Sequence, residues 1–337
     1  MDPLELSRAA AALALFPVFV PRAPWLGGDL QTLRNFLIRR YPDLRRYATE
    51  RLTLPLGDGS GDRLLAALNR PHGEVKPAKP LVILVHGLSG CEDSFYLLNT
   101  AAELLRLGFS VLRLNQRGAG PSRPFCRYQY HAGRSEDFAE ALERLPPALT
   151  EAGVVAVGYS LGANMLLKYL GEWGRRARVK AAVSVSSPLD LAGTSRWMMR
   201  RRSAIYQGYL LREMRREASA PGAELTPAER EAIREARSIW EFDHRFTASR
   251  NGFAGAEPYY ESNAAKRYLD GIGVPTLVIH ALDDPWIPVE AYLSYDWGRN
   301  PNLMPLLAPS GGHVGFQARG HRVAWHDVCI AQFLEQV

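Results

Sequence analysis

Cysteine is scarce in this 337-residue chain, and its three copies are not arranged for cross-linking. Cys91, Cys126 and Cys329 are an odd number without CxxC spacing, so the sequence indicates neither a disulfide framework nor a thiolate zinc site. Thiols without a disulfide pattern fit a reducing compartment. We therefore predict a cytoplasmic protein, with association at a membrane surface as an option considered below.

A hydrophobic run long enough to span a membrane is also missing. The apolar segment at residues 9–20 is shorter than the roughly 18 to 20 residues that a spanning helix needs, and Pro17 interrupts it. Asp2 and Glu5 make the residues before it poorly cationic, which argues against a secretory signal peptide. The other interpretation is a short amphipathic helix that packs on the protein or touches a membrane.

Signatures of bound cofactors are absent as well. Neither GxGxxG nor GxxxxGK occurs in the required setting between a strand and a helix, and no set of ligands stands at a recognisable metal-binding spacing. The net charge of +6 is only a weak indication of nucleic-acid binding, because no binding module accompanies it. We predict no cofactor, no metal and no nucleic-acid partner.

Strand and helix patterns alternate along most of the chain, which is typical of a mostly parallel sheet flanked by helices. From 188 to 262 the strand pattern gives way to helical segments rich in Arg and Glu. We therefore predict an N-terminal extension at 1–50, an α/β core at 51–187 and 263–337, and an inserted helical lid at 188–262. Strands are predicted at 51–56, 63–69, 80–85, 109–114, 154–158, 179–185, 275–280 and 302–307, and helices at 94–107, 135–145, 161–173 and 323–335.

The strongest chemical motif is GYSLG at residues 158–162, which matches G-x-S-x-G between an apolar strand and an amphipathic helix. Small residues are needed beside the serine because the backbone of this turn is strained and closely packed. An isolated G-x-S-x-G can be a mere structural turn, but the flanking strand and helix favour a nucleophile. We predict Ser160 as that nucleophile, in an α/β-hydrolase fold.

A serine hydroxyl is a poor nucleophile without a base, and in this fold a histidine follows the acid along the chain. Three histidines follow the last predicted strand, and His313 is the one in a glycine-rich segment, SGGHVGF. We predict His313 as the general base, the alternative being a surface loop histidine. His326 has the position of a helix-face residue. His280 ends a strand and is predicted to be a packed, hydrogen-bonded core histidine.

The carboxylate that orients the histidine is expected after the penultimate strand, where LDDPWIP offers Asp283 and Asp284. We favour Asp284, because related folds continue from the acid as D-x-x-I-P. Asp283 instead can cap the turn through its own side chain. A metal site at these two carboxylates is weakly indicated, since no second group of ligands accompanies them.

Backbone amides from two loops are expected to bind an oxyanion. One is the amide of Leu161, directly after the nucleophile. The other is the amide of Leu88 in the loop HGLSG at 86–90, where Gly87 lets the peptide turn toward the pocket. His86 is predicted to bond to the backbone rather than to act as an acid or base.

Together these motifs resemble the α/β-hydrolases related to bacterial YheT and to the eukaryotic ABHD1 and ABHD3 proteins, over nearly the whole chain. The resemblance implies a carboxylic ester hydrolase or acyltransferase that acts on acyl chains, with Ser160, Asp284 and His313 as its triad. Asp29 stands where relatives commonly have histidine, which leaves the role of that position open. The segments that carry the resemblance are PWLGGDLQTL at 24–33, HGLSG at 86–90, EDS at 92–94, NQRG at 115–118, GYSLGAN at 158–164, DDP at 283–285 and GHVGF at 312–316.

Two further features have competing interpretations. His131 and Asp137 approximate an H-x-x-x-x-D acyltransferase motif with the spacing wrong by one residue. The competing interpretation is that Ser135 caps the next helix, with Glu136 and Asp137 in its first turn. In the predicted lid, residues 197–216 interleave apolar and cationic side chains, which either contact an anionic membrane or are simply solvated.

The predicted function is serine-dependent hydrolysis of acyl esters, with lipid-like esters among the candidate substrates. An acyltransferase with the same triad is the enzymatic alternative. A catalytically silent binding protein is the non-enzymatic one, since a fold does not guarantee a function, although the complete set of Ser, Asp and His argues against it. The sequence leaves the acyl-chain length, the alcohol part of the substrate and the oligomeric state open.

Overall fold

The computed structural model describes residues 15–38, 41–73 and 78–337. Half of the apolar segment at residues 9–20, namely 9–14, lies outside these residues, so the choice between a signal peptide and an amphipathic helix stays a prediction. Across the three described ranges, no helix is long and apolar enough to cross a membrane.

An eight-stranded sheet forms the centre of the described chain, in the order β1-β2-β4-β3-β5-β6-β7-β8. In chain order its strands are β1 (Thr49–Pro55), β2 (Arg63–Asn69), β3 (Leu81–Val85), β4 (Val111–Leu114), β5 (Val154–Tyr159), β6 (Ala181–Val185), β7 (Thr276–Ala281) and β8 (Leu303–Ala308). Strand β2 is antiparallel to both neighbours, and all pairs from β4 to β8 are parallel. The predicted mostly parallel sheet is confirmed.

Helices cover both faces of the sheet. Helices α3 and α5 contribute to the buried cluster on one face, and α2 and α12 to the cluster on the other. The apolar strands between them are fully buried, as expected for a sheet covered on both sides. The helices are α1 (Gly28–Leu37), α2 (Phe95–Arg106), α3 (Ser135–Arg144), α4 (Pro147–Thr150), α5 (Leu161–Trp173), α6 (Leu191–Met198), α7 (Ala204–Ala218), α8 (Pro227–Glu235), α9 (Ile239–Phe242), α10 (Ala256–Asn263), α11 (Glu290–Leu293) and α12 (Trp325–Leu334).

The predicted strands and helices agree with the observed ones to within about two residues at each end. The strand predicted from residue 109 begins at Val111 instead. The amide of Phe109 donates to the carbonyl of Leu104 at 2.9 Å, so this residue closes the end of α2 before the strand starts.

Residues 188–262 form a separate helical layer between β6 and β7. They contain helices α6 to α10, and their backbone widens to a π-helical stretch at Asp243–Ala248, a geometry that often accompanies functional sites. No strand occurs in this stretch, all of which the structure describes. The layer has its own buried cluster, which includes Met198, Tyr206, Leu210, Leu211, Met214, Ile233, Phe242 and Phe246. Its role as a lid stays a prediction.

Ser135 does not cap α3, contrary to one of the sequence predictions. Arg134 holds the N-cap position, and no side chain caps this helix. The hydroxyl of Ser135 donates to Glu172 at 2.6 Å and accepts from Lys168 at 2.9 Å. The packing of α5 against α3 therefore takes the hydroxyl away from the helix end.

Asp137 belongs to a buried ion-pair cluster and has partners other than His131. Its carboxylate accepts hydrogen bonds of 2.6 and 2.7 Å from Arg117, whose guanidinium also pairs with Asp62 at 2.9 Å. His131 packs edge-on against the ring of Tyr259. These separate partners leave the acyltransferase interpretation of the two residues without a contact to support it.

Candidate active site

Ser160 occupies a strained turn between β5 and α5, with φ 50° and ψ −120°. A Cβ on Gly158 would lie 2.7 Å from the α5 backbone, and a Cβ on Gly162 would lie 2.2 Å from the carbonyl oxygen of His86. Both glycines are therefore required by close packing. They let a serine in left-handed conformation stand at the N-terminus of α5, as the motif predicts.

The three residues predicted as a triad meet at the edge of the sheet formed by the strand C-termini. The Oγ atom of Ser160 lies 3.0 Å from Nε2 of His313, and Nδ1 of His313 lies 2.8 Å from Oδ2 of Asp284. With the proton on Nδ1, the imidazole donates to the carboxylate and Nε2 accepts from the serine hydroxyl. Burial acts to raise the pKa of Asp284, but His313 beside it holds that pKa below its ordinary value.

The two adjacent aspartates have different partners. Oδ1 of Asp284 accepts from the amides of Trp286 and Ile287 at 2.8 and 3.0 Å, which leaves Oδ2 for the histidine. Asp283 accepts from the hydroxyl of Ser310 at 2.7 Å and from the next two amides at 2.9 Å each. The prediction that Asp283 caps its own turn is therefore wrong, because its carboxylate holds the loop that precedes the histidine.

The loop after β3 passes directly beside the nucleophile. A Cβ on Gly87 would lie 3.0 Å from the Cβ of Ser160, and Leu88 and Leu161 line the same cavity as the serine. The amide of Gly87 donates to the hydroxyl of Tyr96. In the described part of the chain, neither the amide of Leu88 nor that of Leu161 donates to a protein acceptor, so both are available to an oxyanion.

Two other histidines near the site have structural positions. Nδ1 of His86 lies 2.8 Å from the carbonyl oxygen of Gly87, and its Nε2 accepts from the amide of Gln116 at 3.1 Å, so the predicted backbone bonding is confirmed. His280 is buried and stacks on Tyr292 with ring centroids 3.9 Å apart. Neither of its nitrogens has a hydrogen-bond partner in the described ranges, so the predicted hydrogen bonding is wrong. Burial lowers the pKa of His280 to about 4, which keeps it neutral.

Helix α1 supports the histidine loop, and sequence reasoning missed this role. The buried side chains of the helix are polar, namely Gln31, Thr32 and Asn35. The amide of His313 donates to Oγ1 of Thr32 at 2.8 Å, and Nδ2 of Asn35 donates to the carbonyl of Val314 at 3.0 Å. The only sequence signal is a group of polar residues at i, i+1 and i+4 among apolar ones, of which the first two lie inside the PWLGGDLQTL motif and Asn35 lies just after it.

Glycines let α1 approach both the aspartate loop and the histidine loop. A Cβ on Gly28 would lie 1.8 Å from the carbonyl oxygen of Asp283. Cβ atoms on Gly312 and Gly315 would lie 2.3 and 2.5 Å from carbonyl oxygens of α1. The helix therefore holds two loops in a fixed relation, although it lies far from both in the chain.

A cavity of about 410 Å³ opens over Ser160 and His313. Trp286 stacks on the imidazole of His313 with ring centroids 4.4 Å apart and lines the cavity beside it. Much of the apolar lining comes from the helical layer at 188–262. These apolar side chains are Leu191, Met198, Leu210, Met214, Ile239, Phe242 and Phe246.

Three carboxyl groups of the helical layer, those of Glu213, Glu217 and Asp243, also line the cavity. Glu217 accepts from the hydroxyl of Tyr130 at 3.1 Å, and Asp243 accepts from the hydroxyl of Tyr260 at 2.7 Å. Burial raises the pKa of Glu217 to about 7 and that of Asp243 to about 6. No group of three or more His, Cys, Asp or Glu side chains in the described chain is arranged to hold a metal ion.

Comparison with known proteins places this geometry in a family. The profile of the alpha/beta hydrolase fold matches residues 80–317. The chain belongs to the α/β-hydrolase family. It is 33% identical over 303 residues to the candidate esterase YheT of Escherichia coli strain K12, covering 88% of this chain and 86% of YheT. The resemblance to YheT-related hydrolases seen in the motifs is confirmed.

Two further relatives extend the comparison. The chain is 30% identical to medium-chain fatty acid ethyl ester synthase/esterase 2 of Saccharomyces cerevisiae, over 75% of this α/β-hydrolase, and it spans about three fifths (61%) of the yeast protein. The solved structure of the Pyrococcus furiosus esterase Pf2001 superposes with a TM-score of 0.61 at 16% identity, covering 89% of this chain and 95% of that one. The second likeness shows a shared fold.

Proposed function

We propose that this α/β-hydrolase is a serine-dependent carboxylic ester hydrolase that works through an acyl-enzyme. The observation that carries the proposal is the hydrogen-bonded series from Ser160 through His313 to Asp284, at 3.0 and 2.8 Å. The relatives named as esterases support the same reaction class. A cytoplasmic location remains a prediction from the cysteine pattern.

The first half of the reaction forms the acyl-enzyme. Nε2 of His313 takes the proton of the Ser160 hydroxyl as its oxygen attacks the ester carbonyl carbon. The carbonyl oxygen becomes an oxyanion, to which the amides of Leu88 and Leu161 donate. Asp284 stabilises the imidazolium. The carbon–oxygen bond to the alcohol then breaks, and the alcohol leaves with the proton from His313.

The second half releases the acid. Water attacks the acyl carbonyl carbon while His313 takes one of its protons, and the same two amides bind the new oxyanion. The bond to Ser160 breaks, and His313 returns its proton to the serine oxygen. The carboxylic acid departs and the site regains its starting state.

The cavity supports acyl esters as the substrate class, with lipid-like esters within that class. Its volume of about 410 Å³ is within the usual range for small-molecule sites, and the helical layer contributes methionine, leucine and phenylalanine side chains to its wall. Burial of apolar area is worth about 25 cal/mol per Å², so a longer acyl chain on this wall binds more tightly.

A second candidate function is acyl transfer to an alcohol. An alcohol that attacks the acyl-enzyme in place of water would give a new ester by the same steps. The yeast relative favours keeping this candidate, because its name includes both synthase and esterase. Adding ethanol to a reaction with a fatty acyl ester and measuring ethyl ester against free acid separates the two activities.

The experiment that tests the proposal is hydrolysis of p-nitrophenyl esters of increasing acyl length. Wild type is compared with Ser160→Ala and with a control, Ser219→Ala, which alters an exposed serine at the end of α7. We expect turnover to fall by several orders of magnitude only in the Ser160 variant. Wild-type turnover in Ser160→Ala would overturn the mechanism, and ester binding without turnover in wild type would favour a silent binding protein.

A further inference from the structure

Helix α1 differs from an ordinary amphipathic surface helix, because its most buried side chains are polar while two of its leucines are exposed. Its buried residues are the polar Gln31, Thr32 and Asn35, while Leu30 and Leu37, two turns apart on one face, are 42% and 69% exposed. A surface helix normally turns its apolar side chains inward, where burial stabilises them. In α1 the histidine loop occupies the side of the three polar residues, Leu33 packs against the helical layer, and Leu30 and Leu37 are left exposed.

Other exposed apolar side chains adjoin this helix. Asp29 accepts hydrogen bonds from Arg202 at 2.8 Å and from Tyr206 at 2.7 Å, so the start of α7 lies against the start of α1. Gly28 touches the carbonyl of Asp283 on its other side. We call the exposed apolar residues of these three segments the apolar patch, and they are Leu26 (54% exposed), Leu30 (42%), Leu37 (69%), Met199 (44%), Ile205 (83%) and Leu282 (42%).

Positive charge borders the apolar patch. Arg200, Arg201 and Arg202 are exposed and lie between Met199 and Ile205 in the chain. Arg200 stacks over the ring of Trp197 with its guanidinium 4.1 Å from the ring centroid. The two nearby carboxylates are already engaged, Asp29 with Arg202 and Asp283 with the loop before the histidine.

We propose that the apolar patch and its arginines dock this protein onto the surface of a lipid bilayer that contains anionic lipids. Exposed leucine and isoleucine side chains enter the boundary between headgroups and acyl chains, and arginines beside them bind headgroup phosphates. The inner side of α1 lines the cavity through Thr32, Asn35 and Phe36. If the proposed ester hydrolysis holds, docking also brings the cavity next to the phase where lipid-like esters dissolve.

The positive charge beside the apolar patch favours a lipid bilayer, rather than a second copy of the chain, as the partner that covers this surface. In a twofold dimer each patch meets the same patch of its partner, which would bring two sets of these arginines together. Like charges in such an interface repel, whereas an anionic surface complements them. The net charge of +6 acts in the same direction.

The test is sedimentation of the full-length protein with vesicles of phosphatidylcholine alone or mixed with phosphatidylglycerol. Ser160→Ala is used as the background, so that docking is measured without hydrolysis of the lipid. We expect binding to the mixed vesicles and a decline in binding with added salt, because salt screens the attraction. Vesicle binding by this variant does not depend on ester hydrolysis. The experiment therefore tests the docking proposal separately from the proposed function.

Two matched pairs of variants locate the surface. Arg200→Gln with Arg201→Gln should lower the vesicle partition coefficient by about 25-fold, at roughly fivefold per arginine near an anionic surface. Arg175→Gln with Arg176→Gln changes the same charge beyond the far end of α5, about 20 Å from the nucleophile turn, and should have little effect. Ile205→Ser should lower partition about tenfold, whereas Leu293→Ser, at a leucine that is 64% exposed elsewhere, should not.

Three results would overturn the docking proposal. One is equal partition of wild type and both patch variants, and another is no binding to anionic vesicles at all. The third is a dimer by light scattering that Ile205→Ser dissociates without any change in vesicle binding, which would assign the patch to a second copy. In protein that keeps the native Ser160, hydrolysis of soluble p-nitrophenyl butyrate should be the same with and without Ile205→Ser, since the isoleucine does not line the cavity.

Discussion

The two walls of the cavity are built differently. The core wall consists of loops at the ends of β3, β5, β7 and β8, and backbone hydrogen bonds and tight glycines hold it, as the amide of His313 on Thr32 illustrates. The helical wall, from residues 188–262, contributes both apolar side chains and polar ones, among them the carboxyl groups of Glu217 and Asp243. We infer that the core wall controls turnover for every substrate, while the helical wall controls substrate choice and the response to pH.

The largest effect is expected at the two adjacent aspartates of the core wall. Asp284→Asn should lower kcat about 10⁴-fold, because the amide no longer selects the tautomer of His313 that accepts the serine proton. Asp283→Asn should cost only about tenfold, since its remaining oxygen still accepts from the loop at 310–312. Steady-state hydrolysis of p-nitrophenyl butyrate measures both. An equal fall in kcat for the two variants would contradict the assignment of Asp284 as the acid. A larger fall in Asp283→Asn would assign that role to Asp283.

A smaller loss of turnover is expected from α1. Thr32→Val removes the acceptor for the amide of His313 and should lower kcat by about 10- to 100-fold, with KM nearly unchanged, because the imidazole is misplaced by a fraction of an ångström. Thr32→Ser keeps the hydroxyl and should stay within about threefold of wild type. If the serine variant were as slow as the valine variant, the hydrogen bond would not be the cause.

A carboxyl group of the helical wall, that of Glu217, should make the free energy of unfolding depend on pH. The pKa of Glu217 is about 7 in the folded protein and lies above its ordinary value near 4.5, so folding favours the protonated form. This contribution to stability is complete below pH 4.5 and is lost as the pH rises through 7. Between pH 5 and pH 8 wild type should lose on the order of 2 kcal/mol relative to Glu217→Gln.

Urea unfolding at the two pH values measures this difference in the free energy of unfolding. Glu151→Gln, at an exposed glutamate outside the cavity, is the matched control and should follow wild type. An identical pH dependence in wild type and Glu217→Gln would show that the carboxyl titrates as if it were in water.

The smallest effect is expected from two glycines of the helical wall. Gly208 lies inside α7, and a Cβ there would meet no atom within 4 Å. Gly208→Ala should raise the free energy of unfolding by about 0.5 to 1 kcal/mol, because alanine favours the helix. Gly252 has equal space but a φ of +78°, so Gly252→Ala should lower stability by about 1 kcal/mol instead. Thermal unfolding measures the direction of the stability change in each variant. An increase in stability in both variants would contradict the prediction.

The sheet and the residues around Ser160 were predictable because their signals are local. Strand and helix periodicity is visible within five to fifteen residues. The two glycines near Ser160 indicate the close packing of its turn within a five-residue motif. The choice between Asp283 and Asp284 was harder. It depends on which carboxylate the loop at 310–312 engages, and that loop lies 27 to 29 residues further along the chain.

Apart from His280, whose ring nitrogens have no partner in the described ranges, the side chains predicted wrongly or missed are ones whose partners come from distant segments. Ser135 has a good capping sequence, but Glu172 and Lys168 of α5 engage its hydroxyl. From sequence alone, the polar face of α1 would be predicted to face solvent. The histidine loop that covers it lies far away in the chain. Burial of that face follows from a contact that only the folded chain creates.

The hydrogen bond between Thr32 and His313 joins residues 281 positions apart. A ribosome adds about 5 to 20 residues per second, so roughly 15 to 60 seconds pass between the synthesis of the two partners. For the last 153 residues of that interval the nucleophile Ser160 is already made, but its base does not yet exist. We expect a nascent chain to be inert toward the esters around it, and to become competent only after the segment that carries His313 has left the ribosome.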